Sequence, residues 1–210
     1  MNNFKKTLGL AVAASVLAAA APALADDVKM GFLADVTGPI AGFAGGMVSA
    51  GNLAVDEVNA QGGILGGSKL VSVTADGACS ADTAGPAADR LVNSEKVTAI
   101  FGAYCTGATI AAANTAAIPG NVVMISPSAT APTLTTLKDN DLVFRTAISD
   151  AFQGSKAATL LLSQGIKEVG VTYVNNDYGK GLADQFTKTF TDGGGKVTAS
   201  VAHEDGKADY

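Results

Sequence analysis

The chain has 210 residues, with 14 Lys and Arg against 19 Asp and Glu, one histidine, two cysteines and no tryptophan. That length suits one large or two small domains, and the net charge of −5 argues against nucleic acid and anionic membrane surfaces as partners. A lone histidine, His203, leaves no ligand cluster for a metal beside the cysteines.

Lys5 and Lys6 open the chain with positive charge, and an apolar stretch runs from Leu8 to Ala21. Ala23-Leu24-Ala25 then supplies the small-x-small pattern of a signal-peptidase site, ahead of the charged Asp26 and Asp27. The apolar run is shorter than the roughly 20 residues a spanning helix needs, and no Cys lies near the cleavage point to carry a lipid. Residues 1–25 therefore read as a signal peptide cleaved after Ala25, and the mature chain as an exported, periplasmic protein with no membrane insertion of its own. All 19 acidic residues and 12 of the 14 basic ones lie beyond Ala25, a formal charge of −7 for that part.

From Asp26 onward, short β-rich runs alternate with segments of helical period, the pattern of βαβ units on a parallel sheet. Strands are expected at 28–34, 70–75, 97–101 and 122–125, and helices at 47–61, 82–94 and 107–117. Residues 35–46 read as a glycine-rich loop, and Gly62-Gly63 as a helix stop. Pro127 and Pro132 punctuate a further loop, and Val143-Phe144-Arg145 is a short extended segment. The pattern then restarts, with helices at 151–164 and 177–192 and strands at 168–174 and 196–202. The expected architecture is α/β: lobe 1 over 26–140, nearly complete, a hinge or crossover at 141–149, and a partial lobe 2 over 150–210. Two strands cannot by themselves form a parallel sheet covered on both faces, so lobe 2 is expected to be unfinished at Tyr210.

Ligands of open α/β sheets sit beyond the carboxyl ends of the strands. There the sequence places Phe43 after the first strand and Thr106 after the third. Ser128 and Thr130 follow the fourth, and Tyr178 follows the first strand of the second run. Thr106 with neighbouring main-chain N–H groups suits a carboxylate, or is a plain N-cap. Ser128 and Thr130 are placed to hold the other end of a zwitterion, or are turn formers. Asp150 with Gln153 reads either as a capping box or as a ligand group. Phe43 and Tyr178 either close over a ligand or pack within their loops. His203, flanked by Glu204 and Asp205, is expected to face solvent. Cys79 and Cys105 form either a disulfide, which an oxidising compartment favours, or two buried thiols. The G-x-G-x-x-G, G-x-x-x-x-G-K-[ST] and G-x-S-x-G patterns are all absent, so neither a cofactor nor catalysis is expected.

Five segments carry a wider resemblance: Val36-Thr37-Gly38-Pro39, Val58-Asn59-Ala60-Gln61-Gly62-Gly63-Ile64-Leu65-Gly66, Met124-Ile125-Ser126-Pro127-Ser128-Ala129-Thr130-Ala131-Pro132, Phe144-Arg145-Thr146 and Asp177-Tyr178-Gly179-Lys180-Gly181-Leu182-Ala183. In these the sequence resembles the periplasmic leucine/isoleucine/valine-binding proteins, the type I solute-binding proteins of branched-chain amino-acid ABC transporters. The resemblance implies that Thr106 binds the ligand carboxylate, that the Ser128 carbonyl and Thr130 hold ammonium and carboxylate, and that Tyr178 is the tyrosine of lobe 2. Phe43 stands where many members have tyrosine, and Cys79 and Cys105 match a disulfide pair of the family. The implied function is capture of a small amino acid by lobe closure and delivery to an ABC permease in the inner membrane. The resemblance also implies that the acidic partner of the ligand ammonium lies beyond Tyr210, so weak binding is expected of this chain. Two other readings are a sensory domain of the same fold, taking short amides, urea or aromatic acids, and an exported α/β enzyme.

Overall fold

The computed structural model describes residues 26–206; the signal peptide read in residues 1–25 lies outside them. Seven strands alternate with five helices: β1 Val28–Ala34, α1 Ala41–Ala60, β2 Leu70–Asp76, α2 Ala81–Asp89, β3 Ala99–Gly102, α3 Thr106–Ala112, β4 Val123–Ser126, β5 Val143–Arg145, α4 Asp150–Ser163, β6 Glu168–Val174, α5 Asp177–Asp192 and β7 Lys196–His203. Five strands form one sheet in the order β2-β1-β3-β4-β5, and β6 and β7 form a second. Every pairing is parallel. Among the described residues no helix is long and apolar enough to cross a membrane.

The first sheet is covered on both faces, as a parallel sheet requires. Leu33, Ala75, Ile100 and Met124 meet α2 and α3 through Leu91, Val92 and a run of alanines that includes Ala84, Ala88, Ala112 and Ala116. Alanine at these positions lets the two helices approach the sheet and each other closely. On the opposite face Ala34 and Phe101 pack with Ala44, Met47 and Val48 of α1 and with Tyr104, and Phe32 meets Phe101 edge to face at 5.3 Å. In the second unit α4 and α5 pack together and α5 lies against β6 and β7, with Phe190 fully buried and stacked on Phe186.

Two local readings, the loop to Gly46 and the exposure of His203, are corrected, and two are refined. The segment expected as a loop to Gly46 is helical from Ala41; Gly42, Gly45 and Gly46 have poor helix propensity, but burial of Ala44 against Tyr104 outweighs it. The second and third helices each end in a π-helical turn, Arg90–Ser94 and Ala113–Ala117. Val143–Arg145 is the edge strand of the first sheet, paired with β4. His203, expected to face solvent, is partly buried at the end of β7.

Packing ranks the cost of truncation. Leu91→Ala, in the sealed core, is expected to lose about 2–5 kcal/mol, whereas Val201→Ala on β7, where Val201 is 58% exposed, is expected to stay within about 0.5 kcal/mol. Urea unfolding of the two variants checks this, and equal losses would contradict the layering described.

Candidate functional site: a cleft between the two sheets

The strand order 2-1-3-4-5 changes direction between β1 and β3, and a crevice opens at the carboxyl ends of such a pair. Asp35 immediately follows β1 there. Its side chain is fully buried and accepts three main-chain N–H bonds: Cys79 at 2.9 Å on Oδ1, and Tyr104 at 2.9 Å and Cys105 at 3.0 Å on Oδ2. The loops after β2 and β3 are thereby tied to β1. Cys79 and Cys105 are joined by a disulfide across the same gap, with Cα atoms 5.2 Å apart. Gly102 turns the chain out of β3 at φ +122°, and a Cβ there would run into the Leu33 carbonyl, so only glycine fits.

Beside this frame, Asp76 at the end of β2 accepts the Thr37 hydroxyl at 2.6 Å and the N–H groups of Val36, Thr37 and Ala78. Burial opposes its ionisation, but these four bonds win and hold its carboxyl below the usual range. At the end of β4, Ser126 gives its proton to the Ala103 carbonyl at 2.5 Å and accepts from Ala129 N at 3.0 Å. That turn presents Ser128, whose hydroxyl donates to the Tyr104 carbonyl at 2.8 Å. Thr130 follows, its hydroxyl donating to Asp150 Oδ2 at 2.7 Å.

Together these loops and the segment from Val174 into α5 line a cleft of about 810 Å³. Thr106, Ser128, Thr130, Asp150, Phe43 and Tyr178 all line it, as do Cys79 and Cys105. Two expected caps fall elsewhere. Cys105 is the N-cap of α3, so Thr106 is its first helical residue and its Oγ1 accepts from Ala131 N at 3.4 Å. Ser149, not Asp150, caps α4 by accepting from Ala151 N at 3.2 Å, which leaves the buried Asp150 carboxylate for Thr130. Among the described residues, two buried polar atoms at the cleft have no hydrogen-bond partner: Asp150 Oδ1 and the Tyr104 hydroxyl.

Several cleft residues were missed from the sequence. Tyr104, Gln153 and Asn176 line it, and so do Asp177 and Asp205. Tyr104 and Asp177 follow strands, a signal that could have found them; Gln153 and Asp205 carried no such signal. No group of three or more His, Cys, Asp or Glu able to hold a metal occurs among the described residues.

This is the geometry of a two-unit binding cleft at the rim of parallel sheets. The chain belongs to the periplasmic binding protein family, whose pattern it matches over residues 27–210. It is 35% identical over 207 residues to the Leu/Ile/Val-binding protein BraC3 of Rhizobium johnstonii, covering 98% of this chain and 54% of that protein. It also resembles the branched-chain amino acid transporter substrate binding protein LivJ of Streptococcus pneumoniae, solved in complex with isoleucine. There the TM-score is 0.74 and the identity 32%, over 88% of this chain and 51% of that one. A leucine binding protein of Thermotoga maritima gives a TM-score of 0.76 at 31% identity, over 87% and 50% of the two chains. The chain thus spans about half the length of the relatives it matches. Membership in a family of binding proteins agrees with the expectation of a non-catalytic role.

Two outcomes test the frame. Asp35→Asn sets an amide –NH₂ against main-chain N–H groups and is expected to cost about 3 kcal/mol in urea unfolding; a near-neutral effect would remove Asp35 from the role given to it. The Tyr104 phenol is pushed up to about 12, first by burial and then by the charge of Asp35. Its contribution to stability is whole below about pH 10, the phenol's ordinary value, and is lost as pH rises through about 12. Absorbance titration at alkaline pH is expected to show one late tyrosine that Tyr104→Phe removes.

Proposed function

We propose that this chain is a solute-binding component of an ABC importer, capturing a branched-chain amino acid or a close analogue and delivering it to a permease in the inner membrane. The carrying observation is the mixed lining of the cleft. Hydroxyl and carboxylate groups from the ends of β3 and β4 and the start of α4 line it, and Ile40, Phe43, Met47 and Tyr178 add apolar surface. A polar rim suits the charged head of an amino acid, and an apolar wall suits an aliphatic side chain. The names of the relatives, which speak of leucine, isoleucine and valine, support the same ligand class.

In this reading Thr106 receives the ligand carboxylate, and the Ser128 carbonyl with Thr130 and Asp150 receives the ammonium. Phe43 and Tyr178 close over the side chain from opposite units. The unit of the first sheet, which includes β5, and lobe 2 (from 150) move about the part of the 141–149 link that follows β5, as hinged binding proteins do. Export places the protein in the periplasm after cleavage behind Ala25, which the mass of the mature protein from a periplasmic extract tests directly.

The ligand class is tested by heteronuclear NMR titration with leucine, isoleucine and valine against acetamide, urea and benzoate. The expected outcome is saturable shifts at cleft residues with the aliphatic amino acids and no consumption of ligand. Saturation by benzoate or urea alone would sink the amino-acid reading.

A further inference from the structure

The two units touch each other within the cleft, and one of the touches carries a charge. Helices α3 and α5 are in contact. A Cβ on Gly107, in the first turn of α3, would lie 3.3 Å from Asp177 Oδ2 at the start of α5. A second touch is uncharged: a Cβ on Gly181 would lie 3.2 Å from Pro132 Cδ and 3.3 Å from Ala131 Cβ. At both points a missing side chain lets α5 seat against the unit of the first sheet, and at the first it brings a carboxylate with it.

Asp177 is not needed to cap its own helix. Asn176 does that, its side chain accepting from Gly179 N at 2.9 Å. Asp177 lines the cleft and is exposed, and among the described residues no hydrogen bond or ion pair engages its carboxylate. Thr106 and Gly107, which it faces, open a helical run that continues through the π-helical turn to Ala117. The main-chain N–H groups of such a first turn have no partner within the helix. In the solute-binding reading this is where the carboxylate of the guest is received.

We infer that Asp177 is a built-in competitor of the guest: in the free protein its carboxylate stands over the first turn of α3, and a guest carrying a carboxylate must displace it. The inference rests on the solute-binding reading of the cleft. Two carboxylates at one helical turn repel each other, so Asp177 holds the affinity for such guests below what the remaining groups would give. Tyr178 is the next residue, so the same displacement shifts one of the two rings at the mouth of the cleft.

Asp177→Asn keeps the shape and removes the charge. Leucine and leucinamide, which share side chain and amino group and differ at the carboxylate, are the probes, titrated by NMR into the exported chain and its variants. Asp177→Asn is expected to tighten leucine by roughly three- to tenfold and to leave leucinamide unchanged or weaker. Asp192→Asn removes the same charge from the far end of α5, where Asp192 pairs with Lys188 in solvent, and is expected to leave leucine binding as it was. An Asp177 that served only the stability of α5 would move neither ligand. Unchanged or weaker leucine binding in Asp177→Asn overturns the inference while leaving the binding role standing. Equal tightening of both ligands, or the same tightening by Asp192→Asn, does so too. The leucine measurement decides by itself where leucinamide binds too weakly to titrate. If leucine binds none of the proteins, both readings fail. Asp177→Ser, also uncharged and suited to a helix start, is expected to act as Asp177→Asn does, and unchanged leucine binding there overturns the inference equally.

Discussion

The buried carboxylate of Asp35 is the constraint on which the cleft depends. Strands β2, β1 and β3 lie side by side, and each ends at the same rim, where the chain must turn away in three different directions. Three main-chain N–H groups from the loops after β2 and β3 converge on the one side chain that immediately follows β1. Hydrogen bonds to charged groups contribute about 1.5–3 kcal/mol each, net of desolvation, and loss of the Asp35 carboxylate leaves three buried donors stranded. Its value is positional: it fixes Tyr104 and Cys105 immediately ahead of Thr106.

The same rim holds backbone strain. Ala78 and Cys79 adopt φ of +52° and +55°, a conformation costly for residues with a Cβ. The N–H of Ala78 is held by Asp76 and that of Cys79 by Asp35, so the strained pair is fixed at both positions from carboxylates at the ends of neighbouring strands. The disulfide joins Cys79 to Cys105 over a separation of 26 residues, a closure worth about 3 kcal/mol in the chain-entropy account. Carboxylate and disulfide span the same gap. The second unit meets this frame through small groups: a Cβ on Gly181 would lie 3.2 Å from Pro132 Cδ and 3.3 Å from Ala131 Cβ, so α5 approaches the Thr130–Ala131 turn as closely as a helix can.

Much of this was legible in the sequence because strands in a covered parallel sheet are short, apolar and bounded by turn residues. Val28–Ala34, Glu168–Val174 and Asp177–Asp192 fall where the pattern puts them. What failed did so because the deciding partner was remote. Ser149 and Asp150 are adjacent residues, each competent to cap α4, and only Thr130, 20 positions earlier, claims the aspartate and leaves the cap to serine. Asp35 looks like any loop aspartate until residues 44, 69 and 70 positions away close on it. Alanine and glycine at 41–46 carry no strong helical signal alone; the face they present to Tyr104 makes them helical.

The aromatic mouth of the cleft links recognition to motion. Phe43 is 75% exposed and Tyr178 43% exposed, in the first turns of α1 and α5, helices of different units. Burying most of a phenylalanine ring is worth roughly 2 kcal/mol, so a guest whose side chain bridges the two rings contributes to closure in proportion to its apolar area. A guest that satisfies the polar rim but lacks such a side chain leaves the rings in water. On the proposed reading the rim decides whether the head group is admitted, and the rings decide how firmly the two units close around what it carries. Exchange at Phe43 or Tyr178 would therefore retune the preferred side chain without disturbing the frame that Asp35 and the disulfide hold.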